Sequence, residues 1–331
     1  MICNESHLPC SSSRSTAKSI LIIGKRNGIL HWFEDVLAEL PASTPHFAIN
    51  DFGLTGRLLK HWSGPDSTRY QQCVAAALVT TLASARPSHV VVVDRFYLSA
   101  EVNTALANCG ARTAQWAGDR FDERLSQNTG IQDFFFTDTG LLQAGLDMGL
   151  TSHYLPLATH KPNVPLLPWQ QRTSELLFVG APSPSRIELL EGIRHPVRVI
   201  GPKWPVLRNA HVTTLNKRLS LQEVRQLYAK HRFVLNQINS DNLVCGLPAR
   251  CFDATIHGAC LLTDEVADLS LNFRPNLDVL VYSNVEQLNE HLQAAINAPE
   301  QAEAIALAGQ ERSLSEHLFS HRLAQMLSTI S

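Results

Sequence analysis

Short apolar runs rich in Val, Ile and Phe alternate along this chain with longer segments of helical period. In the first half the runs are SILIIG (19–24), HFAIND (46–51), HVVVVD (89–94), RTAQWA (112–117), FFFT (134–137) and HYLPLA (153–158). Helical segments fall between them, over 31–40, YQQCVAAALVTTLASA and AEVNTALANC. Near-continuous apolar strands separated by helices predict a parallel sheet covered on both faces. Residues 159–174, THKPNVPLLPWQQRTS, carry three prolines and no period, as a linker does.

The pattern then restarts. Strands are expected at ELLFVG (175–180), VRVIG (197–201), HVTTL (211–215), FVLNQI (233–238), ACLLTD (259–264) and VLVYS (279–283). Helices are expected through SRIELLEGI, LQEVRQLYAKH and ARCFDATIHG, and three more close the chain between positions 285 and 330. The fold class is therefore α/β, with two Rossmann-like doubly wound domains facing a cleft and a helical tail. We expect a disordered Ser-rich lead-in at 1–17, an N-terminal domain at 18–158, the linker at 159–174 and a second domain at 175–310. A C-terminal helix at 311–331 would be able to cross back to the first domain.

Composition narrows the function. The length of 331 residues suits two domains, and 28 basic against 30 acidic residues leave a formal net charge of −2. That balance speaks against a nucleic-acid grip, which needs a basic excess. No apolar run approaches the roughly 18 residues of a membrane span, and the N-terminus lacks the apolar stretch of a secretory signal. Seven cysteines form no C-x-x-C pair, which suggests reduced thiols in a cytoplasmic protein.

In open α/β sheets ligands bind beyond the carboxyl ends of the strands. Gly24 and Gly28 flank the first strand-to-helix turn, without the G-x-G-x-x-G of a dinucleotide site. No P-loop, G-x-S-x-G, H-E-x-x-H or strand-end D-x-D occurs, so no metal or other cofactor is expected. In FVGAPSPSRIELL, Gly180 ends a strand, while Ser185 and Arg186 open a helix whose free N–H groups could take phosphate. The plainer reading is an N-capping serine beside a solvated arginine. In GLPARCFDATIHG, Arg250 and Asp253 stand three apart near a helix start. They could hold a diphosphate and a ribose, or form a surface ion pair.

The segment from Gly246 to Asp264 resembles that of the CgeB-like, or spore-maturation-protein-like, glycosyltransferases. The matching positions are Gly246, Pro248, Arg250, Phe252, Asp253, Gly258 and Asp264. Phe273, Pro275, Val281, Tyr282, Leu288, His317, Phe319 and Arg322 continue the pattern. QWAGDRFDE, FFFTDTG and HYLPLA extend the likeness backward over nearly all the chain from Lys18. Asp253 stands where that family usually has Glu, and Asn276 replaces its glycine.

The resemblance implies a metal-independent glycosyltransferase of GT-B type, using a nucleotide-diphosphate sugar, UDP favoured. Gly180, Arg186 and Arg250 would then lie at the phosphates, Asp253 at the ribose, and Lys203 with Trp204 at the base. Trp204 between two prolines could equally be a packed loop aromatic. Asn236 could bond the donor sugar or its own loop. Asn27, Gly28 and Trp116 would line the acceptor side. Asp119 is the candidate general base for an inverting reaction, with Asp94 and His31 as competitors and a turn-forming role as its alternative. The acceptor stays open among polysaccharide, protein and small molecule. Two other readings are a UDP-sugar epimerase of the same fold and a non-catalytic binding module.

Overall fold

The computed structural model describes residues 19–26, 31–238 and 243–331. Six parallel strands form the first sheet: β1 (Ile20–Gly24), β2 (His46–Ala48), β3 (His89–Val93), β4 (Arg112–Ala117), β5 (Asp133–Phe136) and β6 (Ser152–Tyr154). Their order is β2-β1-β3-β4-β5-β6. The second sheet holds β7 (Thr173–Val179), β8 (Val197–Ile200), β9 (Val212–Leu215), β10 (His231–Asn236), β11 (Cys260–Asp264) and β12 (Leu280–Tyr282). It is likewise parallel, in the order β12-β11-β10-β7-β8-β9. Central strands are sealed on both faces, as in Val90 to Val93 of β3 and Cys260 to Leu262 of β11. This double burial is why they read as unbroken apolar runs.

Helices α1 (Trp32–Ala38), α2 (Leu54–Ser63), α3 (Thr68–Ala85), α4 (Ala100–Ala107) and α5 (Thr139–Asp147) serve the first sheet. Helices α6 (Pro184–Gly192), α7 (Leu221–Tyr228), α8 (Ala249–Ile256), α9 (Leu269–Asn272), α10 (Val285–Asn297), α11 (Pro299–Glu316) and α12 (Phe319–Thr329) follow. Their starts are written locally: Ser67, Ser99 and Ser183 cap α3, α4 and α6, and Ser220 with Glu223 makes a capping box on α7. Gly24 is required by packing, since a Cβ there would lie 2.4 Å from the Phe33 ring of α1.

Three expectations change. HYLPLA pairs with β5 only as far as Leu155, whose N–H donates to the carbonyl of Phe136, where β5 ends. Helices α2 and α5 were not foreseen. The stretch 159–174 is not a loose spacer: Thr159 is bridged to α12, its N–H donating to His317 O and its carbonyl accepting from Phe319 N. Trp169 is buried against Phe233 of β10. The lead-in at 1–17 lies outside the described residues.

One apolar cluster runs through both domains. It joins Trp32, Trp116 and Phe135 to Leu177, Val234, Phe252 and Phe273, with Phe319 and Met326 of α12 between them. Each sheet has a second core on its other face. In both sheets the strand order reverses at one point, between β1 and β3 in the first and between β7 and β10 in the second. In open α/β sheets ligands bind at such points.

Candidate active site

At the second reversal point, β7 ends at Val179 beside Asn236, the last residue of β10. Pro248 sets the start of α8, and Arg250 in its first turn reaches back over both strand ends. Its Nη1 donates to Asn236 Oδ1 at 2.7 Å and its Nη2 to Val179 O at 2.6 Å. Arg186, in the first turn of α6, donates to Ala181 O at 2.9 Å and Gln237 O at 3.0 Å. Both guanidiniums lie over the Phe178 ring, 5.4 Å from its centre for Arg186 and 5.0 Å for Arg250. Asn236 in turn donates to Thr263 Oγ1 and Asp264 Oδ1, while Tyr282 Oη donates to Asn236 O.

Two like charges on one ring need a counter-charge. Burial, reinforced by Arg250, brings the Arg186 guanidinium down to about 10. Its Nε is buried and has no hydrogen-bond partner among the described residues. Such a donor is costly unless something accepts from it. Burial also raises the Asp264 carboxyl above its ordinary range. The loops come close because they are glycine: a Cβ at Gly201 would fall 1.9 Å from Gly180 O, and one at Gly180 3.1 Å from Arg250 Nη2.

Gly180, Arg186, Asn236 and Arg250 are thus brought together. Ser185 is exposed, its hydroxyl 3.1 Å from the capping Ser183. Lys203 is exposed as well, in a left-handed turn at φ 66°. Trp204 has no free face to stack a base: it is 4% exposed, packs edge-on against Phe178 and donates Nε1–H to Gly180 O. The packed-aromatic reading holds for it. Asp253 turns away from the Arg250 guanidinium toward the first domain. It accepts from Thr159 Oγ1 at 2.6 Å and lies 3.6 Å from Arg225, with 6% of its surface exposed. A ribose contact is not available to a carboxylate sealed in this way.

At the first reversal point, Lys25, Asn50 and Phe96 follow β1, β2 and β3. With Lys60, Tyr70 and Tyr97 they line a cavity of about 320 Å³. Asp94, directly after β3, and Asp119, two residues past β4, both hold φ above zero, at 85° and 61°. Non-glycine residues persist there only where the surroundings fix them. The buried Gln115 and Asn128 do so for Asp94, Gln115 Nε2 donating to Asp94 O and both amides donating to Phe96 O. Burial raises both carboxyls; Arg95 opposes the rise at each, and Asp94 adds to it at Asp119. Trp116, expected as an acceptor platform, is instead fully buried beside Trp32, with its Nε1–H on Leu155 O. Asn27 and Gly28 lie outside the described residues. His31 precedes α1 in a left-handed conformation.

Sequence reasoning missed the contacts that bind the domains. Asp138 accepts at one oxygen from Gly140 N and Leu141 N of α5, and at the other from Val244 N, Cys245 N and Gly246 N. Thr139 bonds Asp268 through its N–H and its hydroxyl. Arg225 of α7 grips Asp35 of α1 with two bonds, at 2.9 and 3.2 Å, both side chains buried. Asp-Thr-Gly after an apolar strand is a cap signal for α5 that could have been read. Nothing local marks Arg225.

Residues 185–328 match the family model described as glycosyl transferase-like. No curated protein matches the chain in sequence. Among solved structures, a glycosyltransferase from Rickettsia africae is similar at TM-score 0.63 and 8% identity, covering 95% of this chain and 98% of its own. Anabaena Alr3699/HepE in complex with UDP is similar at TM-score 0.60 and 10% identity, covering 94% and 99%. Sucrose-phosphate synthase of Thermosynechococcus elongatus gives 0.59 and 11%, covering 95% and 98%. The fold is that of GT-B proteins. The glycosyl transferase-like match falls on the second domain, within a fold shared with GT-B glycosyltransferases.

Proposed function

We propose that this enzyme transfers a glycosyl group from a UDP-sugar to an acceptor hydroxyl without a metal, as a CgeB-like member of the class. The observation that carries the reading is the Arg186–Arg250 pair at the β7/β10 reversal point, with the buried, unpartnered Arg186 Nε. A similar structure holds UDP and another UDP-glucose, both of HepE, which supports a uridine nucleotide as donor.

In the reaction the acceptor oxygen bonds to the anomeric carbon while the bond from that carbon to the diphosphate oxygen breaks. The electron pair leaves with UDP. Arg186 and Arg250 meet the growing negative charge, the task a metal performs elsewhere. In an inverting reaction Asp119 takes the acceptor proton, and the first-domain cavity by Lys25 and Tyr70 receives the acceptor. All five described cysteines are unpaired, which supports a reducing, cytoplasmic setting. Among the described residues no helix is long and apolar enough to cross a membrane.

Thermal melting with UDP, GDP and dTDP, with and without EDTA, tests this. UDP should raise the melting temperature by mass action, with EDTA making no difference. No shift with any of the three at millimolar concentration removes the donor site. Activity lost in EDTA and restored by Mn²⁺ removes the metal-independent assignment.

A further inference from the structure

Helix α8 faces two ways. Arg250 in its first turn reaches over the β7 and β10 strand ends, and Asp253, three residues on, reaches the seam between the domains. Four buried ionisable groups meet at that seam, one from each of four segments. Arg225 of α7 bonds both oxygens of Asp35 on α1 and lies 3.6 Å from Asp253 Oδ1. From the 159–174 stretch, Thr159 Oγ1 donates to Asp253 Oδ1, and His160 Nε2 lies 3.5 Å from Asp35 Oδ1. Asp35, His160, Arg225 and Asp253 are each 5–8% exposed.

Two carboxylates against one guanidinium leave an unbalanced negative charge in the interior, which is costly. The neighbouring groups do not supply the missing cation. The Lys161 side chain is exposed. His257 of α8 gives its Nδ1–H to Asp253 O at 2.6 Å, and burial keeps its imidazole below the ordinary value, hence neutral. On α12, Arg322 is spent on the carbonyls of Pro156, Leu157 and Glu316, and His321 Nδ1 accepts from Leu318 N. Glu39 of α1 is a further acid, and it accepts from Lys161 N and Ser320 Oγ.

His160 itself shows where the balance comes from. Its Nδ1 lies 2.6 Å from Lys161 O, and a carbonyl only accepts, so Nδ1 carries a proton. Nε2 then turns a bare lone pair toward a carboxylate unless another proton lies between them. Burial also raises the Asp35 carboxyl above its ordinary range. We propose that His160 and Asp35 share one proton, and that the neutral clasp it completes positions α8, and with it Arg250, for the donor. Without that proton Asp35 and Asp253 repel across Arg225, and α8 loses its hold on the first domain.

The D35N variant puts an amide N–H in the place of the shared proton and removes one negative charge. It gives up the 3.2 Å bond from Arg225 and keeps the 2.9 Å one. Below about pH 6.5 an unfolded histidine holds its second proton too, so the fold retains a proton that the unfolded chain sheds only above that value. From pH 7 to pH 8 the folding equilibrium of the full wild-type chain should therefore fall by up to about tenfold relative to D35N in urea unfolding. Should D35N not fold, H160Q takes its place, since it also has no proton to release. Calorimetric titration with UDP-glucose reads the effect on the donor. Its affinity should fall over the same step by up to about tenfold in the wild type, hold in D35N, and be weak at both pH values in H160Q. The role toward the donor rests on the donor site proposed above, whereas the shared proton stands without it. Parallel pH dependence of wild type and variant in urea overturns the shared proton. Diverging urea curves with pH-independent UDP-glucose affinity overturn the positioning role. A wild type that binds no UDP-glucose at either pH removes the donor site, and the positioning role with it, and the urea curves alone then decide the proton.

Discussion

The Asp138 carboxylate of the first domain accepts the Gly246 N–H of the second at 2.8 Å, in the loop that opens the helix bearing Arg250. The same oxygen takes Val244 N and Cys245 N, and the residue is fully buried. A hydrogen bond to a charged group contributes roughly 1.5–3 kcal/mol, and stranded buried N–H groups cost more. Asp138→Ala should therefore lose at least about 3 kcal/mol in urea unfolding and weaken UDP binding through a loosened α8. Wild-type stability in this variant would show that the loop finds other acceptors.

His317 sets a pH dependence. Its Nε2–H donates to Asn272 O, and its Nδ1 accepts from Arg322 at 2.8 Å, so a second proton would face a guanidinium. Burial, then Arg322, holds the imidazole down to about 3. Unfolded histidine titrates near 6.5, so between those values the unfolded chain binds the extra proton. Stability is thus full above about pH 6.5 and falls as pH drops toward 3. In His317→Asn the loss between pH 7 and pH 5 should shrink by about 2 kcal/mol. Denaturant titrations at the two pH values measure this, and an unchanged slope would locate the acid sensitivity elsewhere.

Arg250→Ala should weaken UDP binding by about tenfold or more, each decade being ~1.4 kcal/mol. Arg250→Lys should not restore it. A single ammonium cannot serve Asn236, Val179 O and a phosphate together. Calorimetric titration of both variants decides, and a lysine variant with wild-type affinity would reduce the role to charge alone.

Asp119→Asn should leave UDP affinity unchanged and cut turnover by ~10²–10⁴-fold. Burial raises the carboxyl, so the acid limb of the turnover profile should lie above the ordinary aspartate range. The Asp94→Asn variant is the control. If it abolishes turnover while Asp119→Asn stays active, the base is Asp94.

The strands were legible because both faces of each central strand are buried, which leaves an apolar run with no other explanation. Helix α2 was missed although Leu54, Leu58 and Trp62 carry a helical spacing, and only the fold shows that this stripe faces out. A tryptophan beside a strand end reads equally as platform or core, and only the fold buried Trp116 and Trp204. Asp253 shows a different limit. Its three-residue spacing from Arg250 suggested one face, yet its partners Thr159 and Arg225 come from a distant loop and another helix.

Phe319 of α12 lies edge-on to Trp116 at 5.8 Å, inside the cluster that also holds Trp32 and Phe135. On the ribosome that partner arrives late. At ~5–20 residues per second, the about two hundred residues from Trp116 to Phe319 take roughly 10–40 s to synthesise. Through that interval the nascent N-terminal half carries an uncovered aromatic surface. Keeping it from sticking falls to the cell's chaperones until the last helix emerges.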